Sequence, residues 1–288
     1  MTPYIFYNND FLTNDATYLN ASDRGFAFGD GIFETILSHN YQLPFFNDHW
    51  ERFIHSVNFL NIQLPIDYSK DQLLKIILEL LKKNNHSNWH GIKITLTRGS
   101  NPNNIRSLTP ITDYDHSANL IISSFECSAP CQANKTLEVS PFQVSASNPT
   151  NQIKSLNYLD KILAKQRALT NNFDDALLIN TNNNLLEATT SNIFFITDDN
   201  LILTPKLSDG VLAGITRQFV IESCYEMGYQ IKEESINLTD LKIFKSAFIT
   251  NAIQGIHNIS RINDFYFTPH DYSYELFKKF LAHLNRQS

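Results

Sequence analysis

A chain of 288 residues, 42% hydrophobic and 18% charged, is long enough for two domains and too apolar for a disordered polymer. Its net charge of −6, with no cluster of Lys and Arg, argues against a nucleic-acid partner. No run of about 18 apolar residues suggests a membrane span, and MTPYIFYNNDFL has neither the basic start nor the apolar run of a signal peptide. Cys127, Cys131 and Cys224 lack metal-ligand spacing, so no metal is expected, and a reduced, cytoplasmic protein is.

The first elements in chain order are short strands at 4–7 and 32–38, the second followed by turn residues His39 and Asn40 and a short return strand, as in a hairpin. A helix follows in NDHWERFIHSVNFL, with Asn47 or Asp48 as its cap and Trp50, Phe53, Ile54, Val57 and Leu60 at helical spacing. A second helix spans 69–83 with Leu73, Leu74, Ile77, Leu78 and Leu81 on its apolar face, before the strands GIKITLTRG and NLIISSF. This order defines a small α+β domain over 1–124. The stretch 125–135, ECSAPCQANKT, loses periodicity and serves as a linker. The larger domain, 136–288, begins with a strand at 137–145, a polar loop holding Lys154, and a helix at 159–171. The strands DALLIN, LLEAT, SNIFFIT and LILT then alternate with polar turns, as an antiparallel sheet or barrel requires. A helix from about Thr216 to Gly228, a strand AFIT and an amphipathic helix SYELFKKFLAHL complete the chain.

Four features carry possible chemistry. Lys154 lies in a strand-to-helix lead-in; a lysine there is usually a solvated surface group, but burial or neighbouring cations would make it a Schiff-base nucleophile. Glu187 sits in an apolar strand, where a carboxylate needs a specific partner unless it faces out; a protonated pyridine nitrogen is one such partner. Gly214, Ile215 and Thr216 open a helix, whose first N–H groups either form an ordinary cap or bind an anion. Arg52 sits at the edge of a buried helical face and could supply the cation a phosphate needs. Together they are the parts a pyridoxal 5'-phosphate site requires: an amine for the aldehyde, an acid for the ring nitrogen, and two phosphate holders. His49 and His55 read as packing or surface groups, and His257 has no clear role.

The motifs SDRGFAFGDGIFET (22–35), HWERF (49–53), IKSLNYL (153–159), DDALLIN with LLEATTSNIFFI (174–196), GITRQ (214–218) and ITNAIQGI (249–256) span nearly the whole chain. Their order resembles the fold-type IV pyridoxal-phosphate enzymes, which include branched-chain aminotransferases, D-amino-acid aminotransferases and 4-amino-4-deoxychorismate lyases. The resemblance implies a small α+β domain, a larger pseudo-barrel domain and a homodimer. It implies that Lys154 holds the cofactor's aldehyde carbon and moves protons, and that Glu187 holds the ring nitrogen. Arg52, Ile215, Thr216 and Asn251 would hold the phosphate, and Gly214 and Thr250 would also line the cofactor. Leu212 would pack on the ring, and Tyr158 would lie near the ring oxygen.

Within that family, RGSNPNNIRSL (98–108) lacks the Arg-x-His pair of D-amino-acid enzymes, and no Gly-Gly-Asn-Tyr follows the lysine as in branched-chain enzymes. FGDGIFET, Lys93 and ITNAIQGI look most like the lyases, which make 4-aminobenzoate and pyruvate in folate biosynthesis. Lys93, Arg98 and Arg106 are candidates for the substrate's carboxylates. The alternatives are an aminotransferase acting on branched-chain or D-amino acids, and a non-catalytic binding protein, which would have no need of Lys154 and Glu187.

Overall fold

The structure, a computed structural model, describes residues 3–16, 19–64, 68–100, 108 and 118–286. It divides into two units, Met1–Ser128 with Ile153–Asn157, and Ala129–Gln152 with Tyr158–Ser288. Among the described residues no helix is long and apolar enough to cross a membrane.

The first unit contains β1 (Tyr4–Tyr7), β2 (Asp10–Thr13), α1 (Arg24–Phe28), β3 (Gly31–Ser38), α2 (Phe46–Phe59), α3 (Lys70–Lys83), β4 (His90–Thr97) and β5 (Asn119–Glu126). The strands form an antiparallel sheet in the order β2-β1-β5-β4-β3. Alternation decides its two faces. Ile32, Glu34, Ile36, Ile92, Ile94, Leu96, Leu120 and Ile122 are buried, whereas Phe33, Thr35, Lys93, Thr95, Ile121 and Ser123 are less covered. Ile32, Ile36, Ile92, Ile94, Leu96, Leu120 and Ile122 share one core with Phe53 and Val57 of α2 and with Leu73, Ile76, Ile77, Leu80 and Leu81 of α3.

Ser69 caps α3, its hydroxyl accepting from the Gln72 N–H at 3.2 Å. The apolar stripe of α3 centres on Ile77 and Leu80, so Leu74 and Leu78 are only partly buried at its margin. Neither Asn47 nor Asp48 caps α2. Phe45, in the left-handed region at φ 64°, precedes the first turn without a side-chain cap, and Asp48 lies inside that turn, where the helix dipole favours an acid. The expected hairpin return strand is absent. His39 and Gln42 exchange backbone hydrogen bonds across a tight turn, and β3 pairs instead with β4.

The second unit contains β6 (Asn134–Val144), α4 (Leu159–Thr170), β7 (Asp175–Asn180), β8 (Leu185–Ala188), β9 (Asn192–Thr197), β10 (Ile202–Pro205), α5 (Ile215–Glu226), β11 (Ile231–Glu234), β12 (Phe244–Asn251), β13 (Gly255–Ile262), β14 (Phe265–Tyr266) and α6 (Asp271–Arg286). Pairing runs β9-β12-β13-β6-β7-β8 and returns from β8 to β9, which closes a barrel, while β10 and β11 extend from β9. The architecture is therefore α+β with a pseudo-barrel. The barrel is mixed and not purely antiparallel: β6 is parallel to both β7 and β13. Its interior is apolar, with Leu137, Leu177, Leu185, Ile193, Phe195, Ala247, Ile249 and Ile259 in one buried cluster.

The segment holding the candidate lysine clusters with the first unit, not with the larger domain to which the sequence pattern assigned it. β3 is an edge strand, and 153–157 fills that edge. Phe33 N–H donates to Lys154 O at 2.9 Å, Leu156 N–H donates to Gly31 O at 3.0 Å, and Ile32 bridges Ser155. Ile153 is buried in the core of the first unit. Burying one isoleucine and pairing an exposed strand edge outweigh sequence proximity to α4.

Candidate active site

The candidate residues fall into two groups, one in each unit. In the first, Lys154 is held by its backbone on β3, and its Nζ lies 4.5 Å from the centroid of the Phe33 ring. Lys93, exposed on β4, places its Nζ 5.2 Å from the same ring.

Behind Phe33, on the buried face of β3, Glu34 is 1% exposed. Arg52 of α2 donates to it twice, Nε to Oε1 at 2.8 Å and one terminal nitrogen to Oε2 at 2.7 Å. His49 Nδ1 lies 2.8 Å from Oε2 and donates, because an ionised carboxylate only accepts. Burial works against the Glu34 charge, but Arg52 and then His49 outweigh it and hold the carboxyl far below its usual range. Burial pushes His49 down, and Arg52 and Lys154 add to this against the pull of Glu34, so its imidazole is neutral at pH 7. His49 is thus a buried partner of Glu34, not a packing or surface group. The Arg52 guanidinium is fixed in place by a bidentate contact.

Arg98 serves the fold. Its Nε donates to Asp30 Oδ2 at 2.8 Å, and its terminal nitrogens donate to Leu60 O at 2.7 Å and Asn61 O at 3.1 Å. Arg24 donates to the same Asp30 oxygen at 2.8 Å. A guanidinium engaged with the end of α2 and the turn before β3 is a tether between them. Arg106 lies outside the described residues.

In the second unit, Glu187, Asn192 and Thr250 stand in register across β8, β9 and β12. Glu187 is 6% exposed, and both its oxygens are engaged. Oε1 accepts from Lys161 Nζ at 2.8 Å; Oε2 accepts from Asn192 Nδ2 and from the Leu212 N–H, each at 3.1 Å. Asn192 Nδ2 also donates to Leu212 O at 2.9 Å, pinning the segment that leads into α5.

Gly214 precedes α5 with no side-chain cap on its first turn. A Cβ there would fall 1.9 Å from Asn192 Oδ1, so the helix start is too close to β9 for any side chain. Ile215 and Thr216 form the first turn, with Thr216 buried. Thr250 Oγ1 is buried and has no hydrogen-bond partner. Asn251 donates to Ser191 Oγ at 2.9 Å and accepts from the N–H groups of Ile253 and Gln254 at 3.0 and 2.7 Å. An uncapped helix start beside a buried, unused hydroxyl is suited to an anion with several acceptor oxygens. Tyr158 precedes α4, with Lys161 Nζ 5.1 Å from its ring centroid.

Sequence reasoning missed Glu34, Lys161 and Asn192. Glu34 carried the same signal as Glu187, an acid within an apolar strand. Asn192 opens the apolar strand NIFFIT, and Lys161 had no signal apart from helical spacing.

Residues 31–262 match the model of amino-transferase class IV. The chain is 29% identical over 262 residues to D-alanine aminotransferase of Staphylococcus epidermidis, covering 90% of this chain and 89% of that one. It is 28% identical over 275 residues to a protein of Methanocaldococcus jannaschii provisionally named branched-chain-amino-acid aminotransferase, covering 90% and 88%. A crystal structure from Legionella pneumophila, provisionally named 4-amino-4-deoxychorismate lyase, superposes with a TM-score of 0.84 at 29% identity over 94% of this chain and 97% of that one. The chain belongs to the class IV aminotransferase family.

Proposed function

We propose that the chain is a pyridoxal 5'-phosphate enzyme that converts 4-amino-4-deoxychorismate to 4-aminobenzoate and pyruvate. The residues fit the cofactor. The orphaned Thr250 hydroxyl and the uncapped start of α5 fit its phosphate, and the buried Glu187 carboxylate fits a ring-nitrogen proton. The observation that favours the lyase is the pair of ammonium groups on one ring. Lys93 joins Lys154 at Phe33, and the lyase substrate carries two carboxylates for which a second cation is useful. The likeness to the Legionella pneumophila protein supports the same choice.

When bound, pyridoxal phosphate supplies an aldehyde that captures amines and a ring that takes up an electron pair. In this reading Lys154 holds the aldehyde carbon. Arg52, Gly214, Ile215, Thr216, Thr250 and Asn251 hold the phosphate, and Leu212 and Tyr158 border the ring. Once its nitrogen is free, Lys154 is the base for the proton on the substrate carbon that bears the amino group. The same amine can return a proton to the departing enol of pyruvate. Lys93 binds a substrate carboxylate. The enzyme works as a homodimer in the cytoplasm.

The test offers the cofactor-loaded protein aminodeoxychorismate, made in place from chorismate and glutamine by its synthase, and follows 4-aminobenzoate fluorescence. Product that requires Lys154, with KM raised by Lys93→Ala, supports the lyase. A yellow protein that forms no product but converts the cofactor to its amine with D-alanine or leucine would overturn it. It would favour the second reading, an aminotransferase, which the names of the Staphylococcus and Methanocaldococcus relatives suggest.

A further inference from the structure

Glu187, the acid read as the partner of the cofactor's ring nitrogen, already has a cation of its own. Lys161 Nζ sits 2.8 Å from Oε1, while Asn192 and the Leu212 N–H occupy Oε2. Lys161 lies in the first turn of α4 and is half-buried against the Tyr158 ring. The other charges facing this pair are Asp175 of β7 and its partner Lys165 of α4, 3.3 Å apart. The proposed reaction uses neither the amine nor the charge of Lys161.

A carboxylate facing a pyridine nitrogen strengthens that nitrogen's hold on its proton. A cation locked to the same carboxylate offsets part of the effect. We propose that Lys161 is a positioning residue that divides the charge of Glu187, so that the ring nitrogen holds its proton less firmly than a lone carboxylate would dictate. The consequence is a weaker electron sink, set by this chain's own ion pair. The inference rests on the reading of Glu187 given above. Lys161 stays charged across the working range: burial opposes its ammonium, but Glu187, Tyr158 and Asp175 outweigh burial and raise its proton affinity. Asn192 and the Leu212 N–H keep the carboxylate in place without Lys161, so its removal changes charge more than position.

The experiment loads wild type, Lys161→Met and Lys161→Arg with pyridoxal phosphate carrying ¹⁵N in the ring and follows that resonance through a pH titration. A unit charge removed from the far side of one carboxylate should raise the titration midpoint of Lys161→Met by about one to two pH units. Lys161→Arg keeps the charge and should keep the wild-type midpoint. Lys161→Gln provides a second charge removal if the methionine variant does not fold, as judged by circular dichroism. An unchanged midpoint in a folded, charge-removed variant overturns the proposal, and so does an equal shift in Lys161→Arg. A wild-type protein that takes up no cofactor is a different outcome; it overturns the functional reading and this inference with it.

Discussion

Gly214→Ala tests how the start of α5 and Glu187 are coupled. The glycine backbone, φ −74° and ψ 137°, is open to any residue, so an effect here comes from space and not from conformational freedom. The new methyl would lie 1.9 Å from Asn192 Oδ1 and 3.1 Å from its Cγ, so Asn192 must leave its place. Doing so breaks its hydrogen bonds to Glu187 at 3.1 Å and to Leu212 O at 2.9 Å. The bond to the charged acceptor is worth about 1.5–3 kcal/mol and the neutral one about 0.5–1.5 kcal/mol, a combined loss of about 2–4.5 kcal/mol. Urea unfolding followed by circular dichroism reads this loss. Cofactor titration should show affinity weakened about tenfold or more, since each 1.4 kcal/mol is a factor of about ten. The decisive variant is the double one. On an Asn192→Ala background the clash is gone, so Gly214→Ala should then cost less than about 1 kcal/mol. A single variant within about 0.5 kcal/mol of wild type, or costs that simply add, would refute the reasoning.

Glu34→Gln removes the buried carboxylate that faces the largely covered Arg52 and should cost about 3–5 kcal/mol, seen as a lower urea midpoint; a loss below about 1 kcal/mol would show that the pair contributes little. Gly31→Ala places a methyl 2.5 Å from Leu96 O and 2.8 Å from Leu156 Cδ1, so it should open both the β3–β4 ladder and the edge that carries Lys154. The expected cost is about 3 kcal/mol or more, with reduced cofactor uptake, and a wild-type melting curve would contradict it. Stability should fall on the acid side in two stages. His49, and likewise His86, His257 and His270, are pushed down chiefly by burial, so below about pH 6.5 the unfolded chain takes up protons that the folded chain refuses. Glu34 is held ionised in the fold, so a further decline begins near its ordinary value, about pH 4.3, and deepens as pH falls toward its lowered one. Urea midpoints at pH 7.5, 5.5 and 4 that stay level would rule this out.

Elements whose signal is local were legible in the sequence. α3 and α6 follow helical spacing, and β7, β8 and β9 follow short apolar runs between asparagine-rich turns. What escaped depends on distant partners. β13, GIHNISRI, carries polar residues whose partners lie far along the chain, Ala133 for His257, Ser273 for Asn258 and Lys135 for Ser260, and so does not read as apolar. α1 has only five residues, too few for periodicity, and stands on its Asp23 cap. The parallel pairs β6–β7 and β6–β13 join segments whose order along the chain suggests a meander. The attachment of Lys154 to β3 depends on a strand edge more than a hundred residues away. Glu187 and Glu34 share one local signal, an acid within an apolar strand, whereas Lys161 has none, because its surroundings are set by the carboxylate it meets.

The central claim is that Lys154 carries the cofactor, and borohydride trapping tests it most directly. The protein is incubated with pyridoxal phosphate, reduced, digested and mapped by mass spectrometry. The account predicts a single phosphopyridoxyl group on the peptide containing Lys154 and none in Lys154→Ala. Modification of Lys93 or Lys161 in place of Lys154, or no stoichiometric label at all, would contradict it.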